Sequence, residues 1–225
     1  MADFVLMHGT TQGPEGWSRL TTALESRGHR CVAVDLALTG DRSIRELEEA
    51  VVSQVPSEIE TPVLVAHSGT GPILPGAATL LNASHQVWLA AIVPDGQRGL
   101  LEEIRSAPTE VFNPEWLGKD PTSDPVLAAY FLFHDCNLET LQWGLTTLRL
   151  FAPSSLYADP VPLAPKIPST YLVAAQDRTL RPEWCRRAAS TRLSAALVTI
   201  DSGHCPHVSH PDEVAGVLES VATSS

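Results

Sequence analysis

Positive charge is scarce in this chain. Fifteen lysines and arginines stand against twenty-six aspartates and glutamates, a formal net charge of −11 over 225 residues. Such a surface repels a phosphate backbone instead of releasing its counterions, so nucleic acid is not an expected partner. Long apolar runs are also missing. Phe4–Met7, Val63–Ala66 and Leu172–Ala175 fall far short of the roughly 20 residues that cross a bilayer, and no membrane association is expected. Cysteine is sparse: Cys31, Cys136, Cys185 and Cys205 are scattered without a Cys-x-x-Cys pair, which suits reduced thiols better than a disulfide framework. The opening Met-Ala-Asp-Phe has no basic stretch ahead of an apolar segment. With no export signal visible, a cytoplasmic location is the expectation. Internal repeats and low-complexity segments are absent, apart from a short tail at Ala222–Ser225 that is expected to fray.

A hydrophobic content of 44% over this length suits one compact domain, residues 1–225. Phe4–Met7 is a short, continuous apolar run, the mark of a strand buried on both faces, and further strands are read at Cys31–Val34, Val63–Ala66, Val87–Val93, Tyr171–Ala175 and Leu197–Ile200. Between them the apolar period becomes helical. Trp17, Leu20 and Leu24 share a face before Gly28 stops the helix, and Ser43 with Glu46 predicts a capping box opening a helix through about Val55. Further helices are expected from about Gly69 to Leu81, after Pro182 and from Pro211. Alternating strands and helices predict a three-layer α/β/α sandwich with about six mostly parallel strands. The alternation breaks once, and residues 96–166 are read as a short helical cap inserted into the domain. There Val126–Phe133 and Leu138–Phe151 read as helices, with Asn137 as N-cap and Leu138, Leu141, Leu145 and Leu148 in one stripe. Roofing a pocket and packing on the sheet edge are both open to that stripe.

The third strand runs into Ala66-His67-Ser68-Gly69-Thr70-Gly71 and then a helix, the setting of a nucleophile elbow. A serine on so sharp a turn needs small neighbours, supplied by Ala66 and Gly69, and the helix start behind it favours developing negative charge. A seryl hydroxyl needs an imidazole to take its proton and a carboxylate to orient that imidazole. His204 and Asp177 follow the last two strands, so both should reach the carboxyl edge of the sheet beside Ser68. Asp95 is held in reserve as the acid. His204, His207 and His210 recur every three residues, but Pro206 and Pro211 interrupt any helix that would align them on a metal. No metal is expected.

These features resemble the α/β-hydrolase superfamily over nearly the whole chain. FVLMHGTTQGPEGWSRL, GHRCVAVDL, VLVAHSGTG, YLVAAQDRTLRPEW and DSGHCPHVSHPDEVAGVL resemble the small esterases grouped with plant methylesterases and hydroxynitrile lyases. The resemblance implies the α/β-hydrolase fold and a Ser68–His204–Asp177 charge relay. It also implies an oxyanion hole of the Thr10 and Gly69 N–H groups, with no cofactor. One departure is Thr70, where a glycine is common; Gly71 comes one place later. His8, Thr11, Trp17, His134 and Cys205 are the candidate substrate contacts.

The expected reaction is hydrolysis of a small to medium carboxylic ester, thioester or lactone through an acyl-enzyme. A small-molecule ester is the expected partner, and a homodimer is allowed. Hydroxynitrile-lyase chemistry is the second reading, although the lyases carry a threonine and a lysine where this chain has Gly9 and Cys205. A non-catalytic ligand-binding homologue is the third. If His204 is the base, hydrolysis falls on the acid side as the imidazole takes up a proton. A pH–rate profile checks this, and a rate that stays flat well below neutrality contradicts it.

Overall fold

The computed structural model describes residues 1–37 and 42–223. Six strands make one sheet in the order β2-β1-β3-β4-β5-β6: β1 (Asp3–Met7), β2 (Arg30–Val34), β3 (Val63–His67), β4 (His85–Leu89), β5 (Ser169–Ala174) and β6 (Ala196–Ile200). Every neighbouring pair is parallel. Successive strand residues point to opposite faces, and both faces are covered. Phe4, Leu6, Val63, Val65, Val87 and Leu89 pack with α1 (Ser18–Glu25) and α11 (Pro211–Thr223). Val5, Met7, Leu64, Ala66 and Trp88 pack on the other side with α2 (Ile44–Ser53), α3 (Leu74–Leu80) and α9 (Pro182–Ala188). Double-sided burial is why the inner strands carry apolar runs, while the edge strands β2 and β6 keep exposed positions.

From β1 the chain winds outward to β2, then crosses back to lay β3 on the opposite side of β1. At such a reversal the loops leaving the two central strands diverge and open a crevice at the carboxyl edge. The loops after β1 and β3 carry Thr10 and Ser68 into it. Local signals set the helix ends. Ser43 and Glu46 form both bonds of a capping box at α2, and Asn137 caps α7 (Leu138–Thr146) by accepting from Thr140 N–H. Asp124 does the same for α6 (Pro125–Phe131) through Val126 and Leu127. Three short helices complete the stretch between β4 and β5: α4 (Leu100–Ser106), α5 (Pro108–Val111) and α8 (Ser155–Ala158). A last short helix, α10 (Pro206–Ser209), precedes α11. Because α11 runs to Thr223, Ala222 is helical and not frayed; Ser224 and Ser225 lie outside the described residues.

Three elements depart from what their periodicity suggests. β4 stops at Leu89 because Ala90 turns to φ +42° and the Tyr171 hydroxyl donates to Ala91 C=O at 2.7 Å. The helix expected from Gly69 is split, a tighter 3₁₀ stretch over Ser68–Ile73 containing Pro72 before α3 begins. α7 ends at Thr146, and the chain beyond it runs extended against the loop after β1, with Leu148 bridging Gln12 and Phe151 N–H donating to Thr10 C=O at 2.8 Å. The leucine stripe of α7 is correspondingly shortened. Leu138 is 70% exposed, while Leu141, Leu145 and Leu148 pack against Phe131, Cys205 and Val208.

Where β4 leaves the sheet, Ile92 N–H donates to Ser68 C=O at 2.9 Å. A Cβ on Gly71 would stand 2.0 Å from Ile92 O, a backbone atom with no freedom to retreat. Gly71→Ala is therefore expected to destabilise the fold by about 1–3 kcal/mol, measured as a lowered denaturant midpoint at unchanged slope.

Candidate active site

β3 delivers Ser68 onto its turn with a left-handed backbone, φ +57°, a conformation a side-chain-bearing residue adopts only when its surroundings impose it. A Cβ on Gly69 would meet Thr10 Cγ2 at 2.5 Å, so the small residue after the serine is what brings the loop after β1 against the turn. Thr70 does not disturb the geometry. Its hydroxyl donates to His67 C=O at 2.9 Å and is buried, so the extra atoms satisfy the turn internally.

β5 and β6 bring the partners. His204 Nε2 is 2.8 Å from Ser68 Oγ, and His204 Nδ1 is 2.7 Å from Asp177 Oδ2. Side chains of both His204 and Asp177 are almost wholly buried, 2% and 1% exposed. A buried carboxylate must find donors. Asp177 Oδ1 accepts from Thr179 N–H at 2.7 Å, from the Thr179 hydroxyl at 2.8 Å and from Leu180 N–H at 3.1 Å, leaving Oδ2 for the imidazole. Thr179 Oγ1 also stands 2.6 Å from His204 Nδ1, so one side chain braces both groups. His204 has two buried histidine neighbours, the rings of His67 at 4.9 Å and, beyond it, His207. Burial pushes the His67 imidazole well down and that of His207 to about 3, so both are neutral near neutral pH.

Ser68 opens into a cavity of about 130 Å³. Ile92, Ile104, Phe112, Trp116 and Leu180 line it with carbon, while Thr10, Tyr157 and Thr179 bring polar atoms near the serine. Tyr157 hydrogen-bonds the Thr10 side chain, and burial pushes its phenol up. The profile described as the Alpha/beta hydrolase family matches residues 4–217. The chain belongs to the α/β-hydrolase family. Its relatives point to the esterase branch. This hydrolase is 27% identical to Methylesterase 8 of Arabidopsis thaliana, over 81% of this chain and 75% of that protein. It is 25% identical to Polyneuridine aldehyde esterase of Rauvolfia serpentina, over 98% and 96% of the two chains. The crystal structure of a polyneuridine aldehyde esterase superposes with a TM-score of 0.82 at 22% identity, covering 98% and 99% of the chains. A pyrethroid hydrolase from Sphingobium faniae JZ-2 does so at 0.79 and 18%, covering 99% and 98%.

Of the residues singled out from the sequence of the hydrolase, Ser68, His204, Asp177, Thr10 and Gly69 come together here. The candidate substrate contacts do not line the cavity. His8 is buried beneath the loop, its Nδ1–H donating to Gly9 C=O at 2.9 Å while Nε2 accepts from Leu36 N–H at 3.0 Å. Thr11 is buried and holds Arg149 N–H on its carbonyl. Trp17 is wholly buried, its ring tilted against that of His207 at 4.4 Å. Cys205 sits under α6, its thiol pushed well up by burial and directed at Gln12 Oε1, 3.6 Å away. His134 donates instead to Gln176 C=O at 3.0 Å. Asp95, the reserve acid, is engaged by Gln97 N–H and by Arg98. The cavity residues that sequence reading missed are Ile92, Ile104, Phe112, Trp116, Tyr157, Thr179 and Leu180. Only Thr179 had a local signal, an Asp-x-Thr turn after a strand.

Thr179→Val keeps the shape of the brace but removes the hydroxyl from Asp177 and His204. Hydrolysis is expected to fall about tenfold, corresponding to roughly 1.4 kcal/mol of lost stabilisation, with the thermal midpoint nearly unchanged. Steady-state kinetics beside a melting curve read both quantities.

Proposed function

We propose that this carboxylic ester hydrolase cleaves small, largely apolar esters through an acyl-enzyme on Ser68. The carrying observation is the unbroken hydrogen-bonded chain Asp177–His204–Ser68 ending at the mouth of an apolar cavity. Ser68 Oγ attacks the ester carbonyl while His204 Nε2 takes its proton, and Asp177 holds the imidazole in the required tautomer. Negative charge gathers on the former carbonyl oxygen, which the Thr10 and Gly69 N–H groups stabilise. His204 returns the proton to the departing alkoxide, releasing the alcohol, and then draws a proton from water as it attacks the acyl-serine. The acid leaves and Ser68 Oγ is reprotonated. No cofactor enters the cycle.

Size and lining support the substrate class. An apolar cavity of roughly 150 Å³ holds a benzene molecule, so about 130 Å³ suits one ring or a short branched chain. Walls of Ile, Leu, Phe and Trp favour an uncharged group there, and the net charge of −11 disfavours an anionic substrate. Relatives named as methylesterases agree with a small leaving alcohol. Lyase chemistry that relies on a cation beside the histidine is less well served, because the residue after His204 is the buried, protonated thiol of Cys205.

A panel of short p-nitrophenyl and methyl esters tests the proposal. Wild type should turn them over with a preference for small apolar acyl groups, and Ser68→Ala should lose about a thousandfold or more. A fluorophosphonate should label the wild type once per chain and leave Ser68→Ala unlabelled. Equal activity in both proteins rules out the seryl mechanism; binding of the esters without turnover by either favours the non-catalytic reading.

A further inference from the structure

The acid and the base of the proposed relay sit on different loops, after β5 and β6, and their separation decides whether a 2.7 Å hydrogen bond can form. At the sheet edge the two loops are joined by Gln176, whose N–H donates to Ser202 C=O at 2.9 Å and whose side chain donates to Asp201 Oδ1 at 2.7 Å. A second link comes from the opposite direction. His134 and Asp135, between α6 and α7, reach down onto both loops at once. His134 Nε2–H donates to the carbonyl of Gln176 at 3.0 Å, one residue before Asp177. Asp135 Oδ2 accepts from Gly203 N–H at 2.8 Å, one residue before His204, and from the Ser209 hydroxyl at 2.7 Å.

The packing leaves no slack. A Cβ on Gly203 would lie 2.7 Å from Asp135 Oδ1 and 2.9 Å from His134 Nε2, so the glycine is what admits both side chains. On the far side of Asp177, Arg178 donates to Tyr130 C=O at the end of α6 at 3.2 Å, and its guanidinium lies 4.6 Å from the centre of the Tyr130 ring. Neither His134 nor Asp135 lines the cavity beside Ser68.

We propose that His134 and Asp135 are positioning residues, a two-pronged clamp through which the α6–α7 pair sets the distance between Asp177 and His204. The proposal rests on the reading of Ser68, His204 and Asp177 as the reacting chain. Releasing either prong lets one loop drift from the other, and a misplacement of about 1 Å in such a chain is enough to slow chemistry on the order of a hundredfold. Substrate binding, which the clamp does not touch, is left alone.

Steady-state hydrolysis of p-nitrophenyl acetate by the full chain tests it, comparing wild type with Asp135→Ala, Asp135→Asn, His134→Ala and Ser68→Ala. Asp135→Ala should lower kcat about ten- to hundredfold with KM within about twofold. Asp135→Asn, which keeps an oxygen for Gly203 N–H, should recover most of that loss. An unchanged kcat in Asp135→Ala, a loss carried by KM, or an asparagine no better than alanine overturns the clamp. Should Asp135→Ala not fold, His134→Ala carries the test: a kcat lowered severalfold at constant KM supports the proposal, and a wild-type kcat overturns it. If Ser68→Ala keeps wild-type activity, the reading of the site falls and the clamp falls with it; if Ser68→Ala is inactive while the clamp variants match wild type, only the clamp falls.

Discussion

One backbone torsion governs the neighbourhood of the site, the φ of +57° at Ser68. A serine does not rest in that conformation unaided, and the surrounding elements supply the restraint. Ile92 N–H takes the Ser68 carbonyl, the Thr70 hydroxyl takes that of His67, and the loop after β1 closes against Gly69. The early end of β4 follows from the same restraint, because the chain must leave the sheet at Ala90 to present Ile92 to the turn. The tight 3₁₀ start before α3 follows too. With the turn so held, the hydroxyl projects from the carboxyl edge into the one place where the loops after β1, β3, β5 and β6 converge.

Convergence of that kind buries polar groups, and the hydrolase manages each differently. Asp177 is surrounded by donors from its own turn and from His204, which keeps a carboxylate acceptable in a dry setting. His67 and His207 are kept neutral by burial. His67 Nε2–H spends its proton on the backbone carbonyl of His204 at 2.9 Å, and His207 Nε2–H on Gln12 Oε1 at 3.1 Å. Two uncharged rings thus stand behind His204. The helices between β4 and β5 serve two ends: α4 and the segment after α5 supply Ile104, Phe112 and Trp116 to the cavity, while α6 and α7 pack over the loop that carries His204.

Much of this was legible in the residue order. The inner strands β1, β3, β4 and β5 are buried on both faces and so carry apolar runs, whereas the edge strands β2 and β6 keep exposed positions; parallel topology follows from the helices between them. The Ser68, Asp177 and His204 positions could be placed on one edge for the same reason: each follows a strand in a sheet whose strands all point one way. What failed was reasoning from proximity in sequence or from residue type alone. Trp17, Cys205 and His8 are candidate substrate contacts by sequence, yet each fills space behind the motif. The leucine stripe of α7 leaves a roof and a sheet-edge packing equally open by sequence; the chain after Thr146 is captured by the loop after β1, and Leu141, Leu145 and Leu148 pack on the cluster of Cys205 and Val208.

Residue order alone placed the six strands, the longer helices between them and the three residues at the carboxyl edge, because burial period, capping and turn chemistry act over a few neighbouring residues; the short helices α4, α5, α8 and α10 carry no such period. The cavity was decided only in the tertiary structure. Its walls come from β4's exit, α4, the segment after α5, α8 and the loop after Asp177, segments distant along the chain whose meeting leaves no local period to read. The bracing of Asp177 and His204 from His134 and Asp135 belongs to the same class, since hydrogen bonds between residues about 40 and 70 positions apart arise from packing after the elements have formed.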